Sequence, residues 1–307
     1  MKYLIVGTGG TGGCIGGYLA SCEKDVTFIA RGAHLKAMKE KGLIIHSSRK
    51  GDIHIKDVKC SDGSDDIGKF DVIFVCVKGY SINEIIPIIK KASQEKTVVI
   101  PILNTLTAGE KLKEALPEIT VLDGCIYVSG YVSAPGEITQ GVMIFRVVFG
   151  PMGNTEVDMN FLKKIQQELK ECQIDGIISD NIKRDTFRKF SFTSPLAAVG
   201  AYFDINVGEV QKQGKYRDMF IDLLKELEKV AVALNINLTN DLVKENLDIL
   251  DGLAPNITAS MQKDIKKGKQ SEKDELIFDI VRIAEKNGIE VPSYKKIAEY
   301  FGYGKDC

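Results

Sequence analysis

A short apolar run, Tyr3–Val6, passes directly into Gly7-Thr8-Gly9-Gly10-Thr11-Gly12, and this junction limits what the chain can fold into more than any other feature. Glycines at the first, third and sixth places suit a strand that turns sharply into a helix. Gly7 permits the tight turn, Gly9 lets a pyrophosphate approach the backbone, and Gly12 lets the helix lie close to the strand. The helix N-terminus then presents unsatisfied N–H groups and partial positive charge to phosphates. All six residues, Thr8, Gly10 and Thr11 included, are therefore candidate nucleotide-binding positions.

The segments that follow supply the context this motif needs. Tyr3–Val6, Val26–Ala30, Val72–Val77, Val98–Ile102 and Thr120–Leu122 read as strands, nearly continuous apolar runs as parallel strands covered on both faces are. Gly12–Ser21, His34–Glu40, Ile82–Ala92 and Gly109–Glu114 read as the intervening helices. Ile126–Gly150 reads as irregular β structure, with Pro135-Gly136 as a hairpin turn. Val157–Glu171 carries a helical stripe at Phe161, Leu162, Ile165 and Leu169. From Asp180 onward the pattern is helical, most clearly over Asp218–Leu234 and Glu272–Lys286, with Gly288 as a C-cap. The expected class is α/β: an N-terminal Rossmann domain with a doubly wound parallel sheet over 1–180, then a C-terminal all-α domain over 181–307.

Composition excludes several functions. The chain has 307 residues, is 44% hydrophobic and carries a formal net charge of −1, so nothing favours nucleic acid or an anionic membrane as a partner. The opening residues resemble the start of a signal peptide, but the apolar run stops at Val6. No later stretch is long enough for a membrane span. The seven cysteines are scattered singly with no Cys-x-x-Cys pair, as expected of reduced thiols in a cytoplasmic protein without a metal site. Cys307 is expected to be exposed.

The end of the second strand bears on cofactor choice. An acidic residue there would bind the ribose 2′-hydroxyl of NAD, whereas this chain has Ala30-Arg31-Gly32. A guanidinium suits the 2′-phosphate, so Arg31 points to NADP(H). Lys78 and Asn104 also follow strand ends, where open α/β sheets line their ligand crevice. Lys78 can add positive charge near the nucleotide. Asn104 can hold a carboxamide or a substrate oxygen, or serve a turn. A nicotinamide cofactor transfers hydride, and where the acceptor is a ketone a group must stabilise the developing alkoxide. The histidines, His34, His46 and His54, all lie in the first domain. The acid of a helical substrate domain must then be Lys, Tyr, Arg or Ser.

These blocks, together with Phe187-Arg188-Lys189-Phe190, Val207-Gly208-Glu209, Ala259-Ser260-Met261-Gln262-Lys263-Asp264 and Ser271-Glu272-Lys273-Asp274, make nearly the whole chain resemble the ketopantoate reductase (2-dehydropantoate 2-reductase) family. The resemblance implies that Lys189 is the general acid and that Glu272 assists it in catalysis. It implies that Ser260 binds the substrate carboxylate and that Asn104 lies near nicotinamide and substrate. It also implies NADPH-dependent reduction of ketopantoate to pantoate, a step of pantothenate and coenzyme A biosynthesis. The partner is then a small-molecule 2-oxo acid, and a homodimer is compatible. Well-known members carry asparagines one and two turns after the lysine and before the Gly-Glu pair; here Thr193, Ala197 and Val207 stand there. Thr193 remains a candidate substrate contact. The less polar set leaves two alternatives: reduction of a different small apolar 2-oxo acid, or a non-catalytic NADPH-binding sensor.

Overall fold

The computed structural model describes residues 1–141, 143–238 and 240–304, and the expectation for Cys307 lies outside them. The chain divides into two compact units, Met1–Leu103 with Thr107–Ile182, and Asn104–Leu106 with Lys183 onward.

The first unit runs β1 (Lys2–Val6), α1 (Gly10–Ser21), β2 (Asp25–Ile29), α2 (Gly32–Lys41), β3 (Leu43–Ser47), β4 (Gly51–Ile55), β5 (Lys59–Ser61), β6 (Phe70–Val75), α3 (Ile82–Ala92), β7 (Ser93–Pro101), α4 (Ala108–Ala115), β8 (Thr120–Val121), β9 (Asp123–Tyr127), β10 (Gly130–Ala134), β11 (Glu137–Gln140), β12 (Arg146–Gly150), α5 (Met159–Glu171) and β13 (Asp175–Ile178). Six strands form a parallel sheet in the order β5-β2-β1-β6-β7-β8. Its central strands are buried on both faces, which is why they read as unbroken apolar runs. One face packs with Ile15 and Leu19 of α1, the other with Ile82, Ile85, Ile89 and Leu112 of α3 and α4.

Two further sheets complete this unit. A four-stranded sheet has the order β10-β11-β3-β4, and a three-stranded one the order β13-β12-β9. The hairpin of β10 and β11 turns at Gly136, whose φ is +79°, the conformation glycine adopts without strain. The four-stranded sheet was not expected from the sequence, and its consequence falls on α1. A Cβ on Gly12 or Gly16 would strike Ile5 of the parallel sheet, and Gly16 also abuts Phe28. A Cβ on Gly13 or Gly17 would strike Ile138 or Ile45 of the four-stranded sheet. Two glycine stripes, each with a four-residue step, thus let one helix lie flush between two sheets. Tyr18 fastens it: its hydroxyl donates to Gln140 Oε1 at 2.5 Å and lies 2.7 Å from Ser47 Oγ.

The second unit is helical: α6 (Ile182–Phe203), α7 (Val207–Gln211), α8 (Lys215–Ala233), α9 (Leu242–Asp251), α10 (Ser260–Lys266), α11 (Asp279–Lys286) and α12 (Pro292–Tyr300). Phe220, Leu223, Leu224, Leu227, Val230 and Ala231 of α8 form a buried stripe, as their spacing requires. A π-helical turn, Asp274–Phe278, leads into α11. Four non-glycine residues, Glu23, Gln173, Asp204 and Asn235, have φ between +54° and +61° just past helix ends. The N–H following each returns to a carbonyl five residues back, as in Lys24→Leu19 and Ile174→Leu169, which closes the helix. Among the described residues, no helix is long and apolar enough to cross a membrane.

Candidate functional site

In the first unit the glycine turn is fixed by bonds and contacts to the ends of β2 and β6. Gly7 has φ +99°, and a Cβ there would lie 2.8 Å from the backbone nitrogen of Val77. The end of β6 therefore abuts the turn, which places Lys78 next to it, half-buried. The N–H groups of Gly7 and Thr8 both donate to the Ile29 carbonyl, at 3.2 and 3.0 Å. The Thr8 hydroxyl donates to the same carbonyl at 2.9 Å and is buried, so this side chain braces the loop from inside. Gly9 is the N-cap of α1, in extended conformation, with no side chain to cap the first turn. A Cβ on Gly9 would meet nothing within 4 Å, so the space over the uncapped helix end is open. Gly10 has a different job: its Cα lies against the Gly130 backbone, and a Cβ would be 2.0 Å from the Gly130 carbonyl oxygen. Thr11 is half-buried in the first turn and Gly12 is buried.

This is the cradle a dinucleotide pyrophosphate needs: an open helix N-terminus approached by backbone without side chains. Arg31 follows β2 as the N-cap of α2, with its side chain 57% exposed. Gly32 has φ +56°, and a Cβ there would meet nothing within 4 Å, so space also opens beside the arginine. Arg31 is occupied, however: Nη1 donates to Glu84 Oε2 in the first turn of α3 at 2.7 Å. These residues could hold an NADP(H) molecule: the N-terminus of α1 could take a pyrophosphate and Arg31 a 2′-phosphate. His34 receives the Gly136 N–H on Nδ1 at 2.9 Å, tying α2 to the hairpin, and its burial pushes its pKa below the usual histidine range. Nothing in the local sequence marks that contact.

In the second unit, Lys189 lies half-buried on α6 and its ammonium donates to the Asn104 amide oxygen. Asn104 was expected to belong with residues 1–180; the segment 104–106 packs with the helical unit instead, because Leu106 joins its apolar core. Thr193, one turn after Lys189, donates from Oγ1 to the Lys189 carbonyl at 3.0 Å. Its hydroxyl hydrogen is thereby used within the helix. Ala197 and Val207 are both 1% exposed and belong to the apolar core of this unit. Ser260 is exposed at the first position of α10 and makes no side-chain hydrogen bond among the described residues.

Glu272 is 2% exposed and stands just before the π-helical turn. Its carbonyl accepts the Leu276 N–H at 2.9 Å. The Leu276 carbonyl in turn accepts from Ser194 Oγ of α6 at 2.6 Å, and Ser194 Oγ lies 2.6 Å from the Tyr294 hydroxyl. Tyr294 is held by Glu226, which accepts the N–H groups of Ser293 and Tyr294 at 2.7 and 3.0 Å, at the start of α12. This chain fixes the segment carrying Glu272 to the helix carrying Lys189. Sequence reading missed Ser194, Tyr294 and Glu226, since no motif marks them. Glu275, inside the turn, has a carboxyl pushed up to about 7 by burial and by the neighbouring acids Glu272, Asp274 and Asp279.

Comparison with known proteins gives a consistent match. A family model described as ketopantoate reductase PanE/ApbA matches residues 3–154, and one for the C-terminal part of the same family matches 181–302. The chain is 27% identical to an uncharacterized oxidoreductase, YkpB, of Bacillus subtilis, covering 95% of both. It is 25% identical to a 2-dehydropantoate 2-reductase of Pyrococcus horikoshii, covering 95% of this chain and 93% of that one. A solved D-mandelate dehydrogenase with NADH and anilino(oxo)acetate has the same fold, with a TM-score of 0.87 at 22% identity over 97% of this chain and 96% of that one.

Proposed function

The chain belongs to the ketopantoate reductase family, oxidoreductases acting on a CH–OH group, and on that premise we propose that it reduces a small 2-oxo acid to the 2-hydroxy acid with NADPH, with 2-dehydropantoate to pantoate as the leading reaction. The observation that carries this reading is the half-buried Lys189 ammonium held by the Asn104 amide oxygen. It sits in a chain whose other unit offers a bare, open helix N-terminus at Gly9.

When bound, NADPH supplies the hydride that reduces the keto carbon. The backbone of Gly9–Gly12 holds the pyrophosphate. Arg31 binds the 2′-phosphate and Lys78 adds positive charge near it. As the carbonyl oxygen gains negative charge, the Lys189 ammonium stabilises it and delivers the proton that completes the hydroxyl, and water then reprotonates the amine. Asn104 keeps Lys189 in place by accepting one of its three N–H bonds. Ser260, exposed on α10, is the donor for the substrate carboxylate, and Glu272 helps position lysine and substrate.

A second reading has its own observation. Ala197 and Val207 are buried core residues and the Thr193 hydroxyl donates to the Lys189 carbonyl, so this face gives few donors for a substrate hydroxyl. Each unmatched buried group costs about 1–3 kcal/mol. That favours a more apolar 2-oxo acid handled by the same machinery.

The experiment is NADPH oxidation with ketopantoate and a panel of branched and aromatic 2-oxo acids. Turnover on ketopantoate above all others supports the leading reaction, and preference for an apolar acid supports the second reading. Tight NADPH binding with no turnover on any acid would show a nucleotide sensor and end the catalytic reading.

A further inference from the structure

The arginine at the end of β2 does not stand alone, and its partner bears on which cofactor is taken. Glu84 lies in the first turn of α3, across the end of β6, and accepts from Arg31 Nη1 at 2.7 Å. Both side chains are more than half exposed, at 57% and 56%. An ion pair so exposed adds little to stability, because solvent screens it and two long side chains must be ordered. Among the described residues Arg31 makes no other side-chain hydrogen bond, and a Cβ on the neighbouring Gly32 would meet nothing within 4 Å.

We propose that Glu84 is a cofactor-discriminating residue: its carboxylate competes with the 2′-phosphate for Arg31 and narrows the preference for NADPH over NADH. The inference rests on Arg31 facing the adenosine ribose. A 2′-phosphate carries between one and two negative charges, and binding Arg31 bidentately requires it to displace Glu84 or lie beside it. Either course is penalised, by breaking a charge-assisted bond or by placing like charges a few ångströms apart. A 2′-hydroxyl meets no such penalty, since it is neutral and can donate to the same carboxylate. Sites selective for NAD usually carry their acid at the end of the second strand. Here an acid reaches that place from α3 while the strand end keeps an arginine. Charges at this spacing in a water-like medium change a binding constant by about 3- to 10-fold.

The test measures dissociation constants for NADPH and NADH by fluorescence titration at low salt, on the full chain, for the wild type, Glu84→Gln and Arg31→Ala. Glu84→Gln keeps the side-chain shape and removes the charge. The expected result is a rise of about 3- to 10-fold in the NADPH-over-NADH affinity ratio, shrinking as salt is added. Arg31→Ala should collapse the ratio. If Arg31→Ala collapses it and Glu84→Gln leaves it unchanged or lowers it, the role of Glu84 is refuted and that of Arg31 stands. If Arg31→Ala leaves the ratio unchanged, the assignment of Arg31 fails and this inference falls with it.

Discussion

Gly9 and Gly12 stand three residues apart in one motif, and the structure gives them opposite sensitivities. Gly12 is enclosed: a Cβ would be 2.2 Å from the Gly7 carbonyl oxygen and 2.9 Å from Cys76 Cβ and Ile5 Cγ2. Replacing it by alanine gains about 1 kcal/mol of helix propensity. Overpacking costs about 1–3 kcal/mol, and here the cost lies at the upper end because the obstruction is backbone. The net is a loss of about 1–2 kcal/mol, a fall in Tm of about 2–8 °C. Gly9 is open and its φ of −81° and ψ of −162° suit any N-cap residue. Serine is a better N-cap than glycine by a few tenths of a kcal/mol, so Gly9→Ser should leave Tm level or slightly raised. Its hydroxyl, however, takes an N–H that a pyrophosphate would use and fills the space over the helix end. Losing one such charge-assisted bond weakens NADPH binding by about 10- to 100-fold. Calorimetry and fluorescence titration on both variants decide the matter. A Gly9→Ser protein that binds NADPH like the wild type, or that melts as early as Gly12→Ala, would refute the reasoning.

Four further outcomes are expected. Lys189→Met should lower kcat by about 100- to 10,000-fold with little change in the dissociation constant of NADPH, measured by stopped-flow reduction and titration; a kcat near the wild type means that another group is the acid. Ser194→Ala should cost about 1–3 kcal/mol in urea unfolding, because it strips partners from the buried Leu276 carbonyl and Tyr294 hydroxyl. Gln173→Gly, at φ +61° past α5, should stabilise by about 0.5–1 kcal/mol by relieving a left-handed backbone. Burial pushes the Asp123 carboxyl up to about 7, so the folded state holds a proton the unfolded chain releases near pH 4. Stability should therefore fall as pH rises from about 4 to 7, and Asp123→Asn, which keeps an oxygen for the Gly124 N–H, should flatten that slope in pH-dependent melts.

The sequence made five of the six parallel strands legible because their buried stretches are largely apolar, whereas the edge strand β5, Lys59-Cys60-Ser61, carries no such run. It made α8 legible because one helical stripe carries that helix into the core. The β3–β4 pair was not legible: Leu43–Ser47 and Gly51–Ile55 are short, and His46 and His54 interrupt their apolar character on the outward face. A signal did exist in α1, where Gly13, Gly16 and Gly17 exceed what a nucleotide turn needs and imply close neighbours on two sides. In the candidate site, Lys189 and Glu272 stood out only through family resemblance, since lysines and acids are common on helices, whereas Asn104 was also marked by its place after a strand. Glu84 beside Arg31 and Ser194 beneath Leu276 were hidden because their partners are distant in sequence. The π-helical turn likewise depends on tertiary bonds that no local pattern announces.

The short insert 104–106 has a consequence for anyone wishing to divide the molecule. The polypeptide leaves the nucleotide-type unit at 103, returns at 107, and leaves again after 182. No single cut yields two intact pieces. A fragment ending at 180 would expose Leu106 without its core, and one beginning at 183 would strip Lys189 of Asn104. Exchange of halves between relatives therefore has to carry this tripeptide along with the C-terminal part.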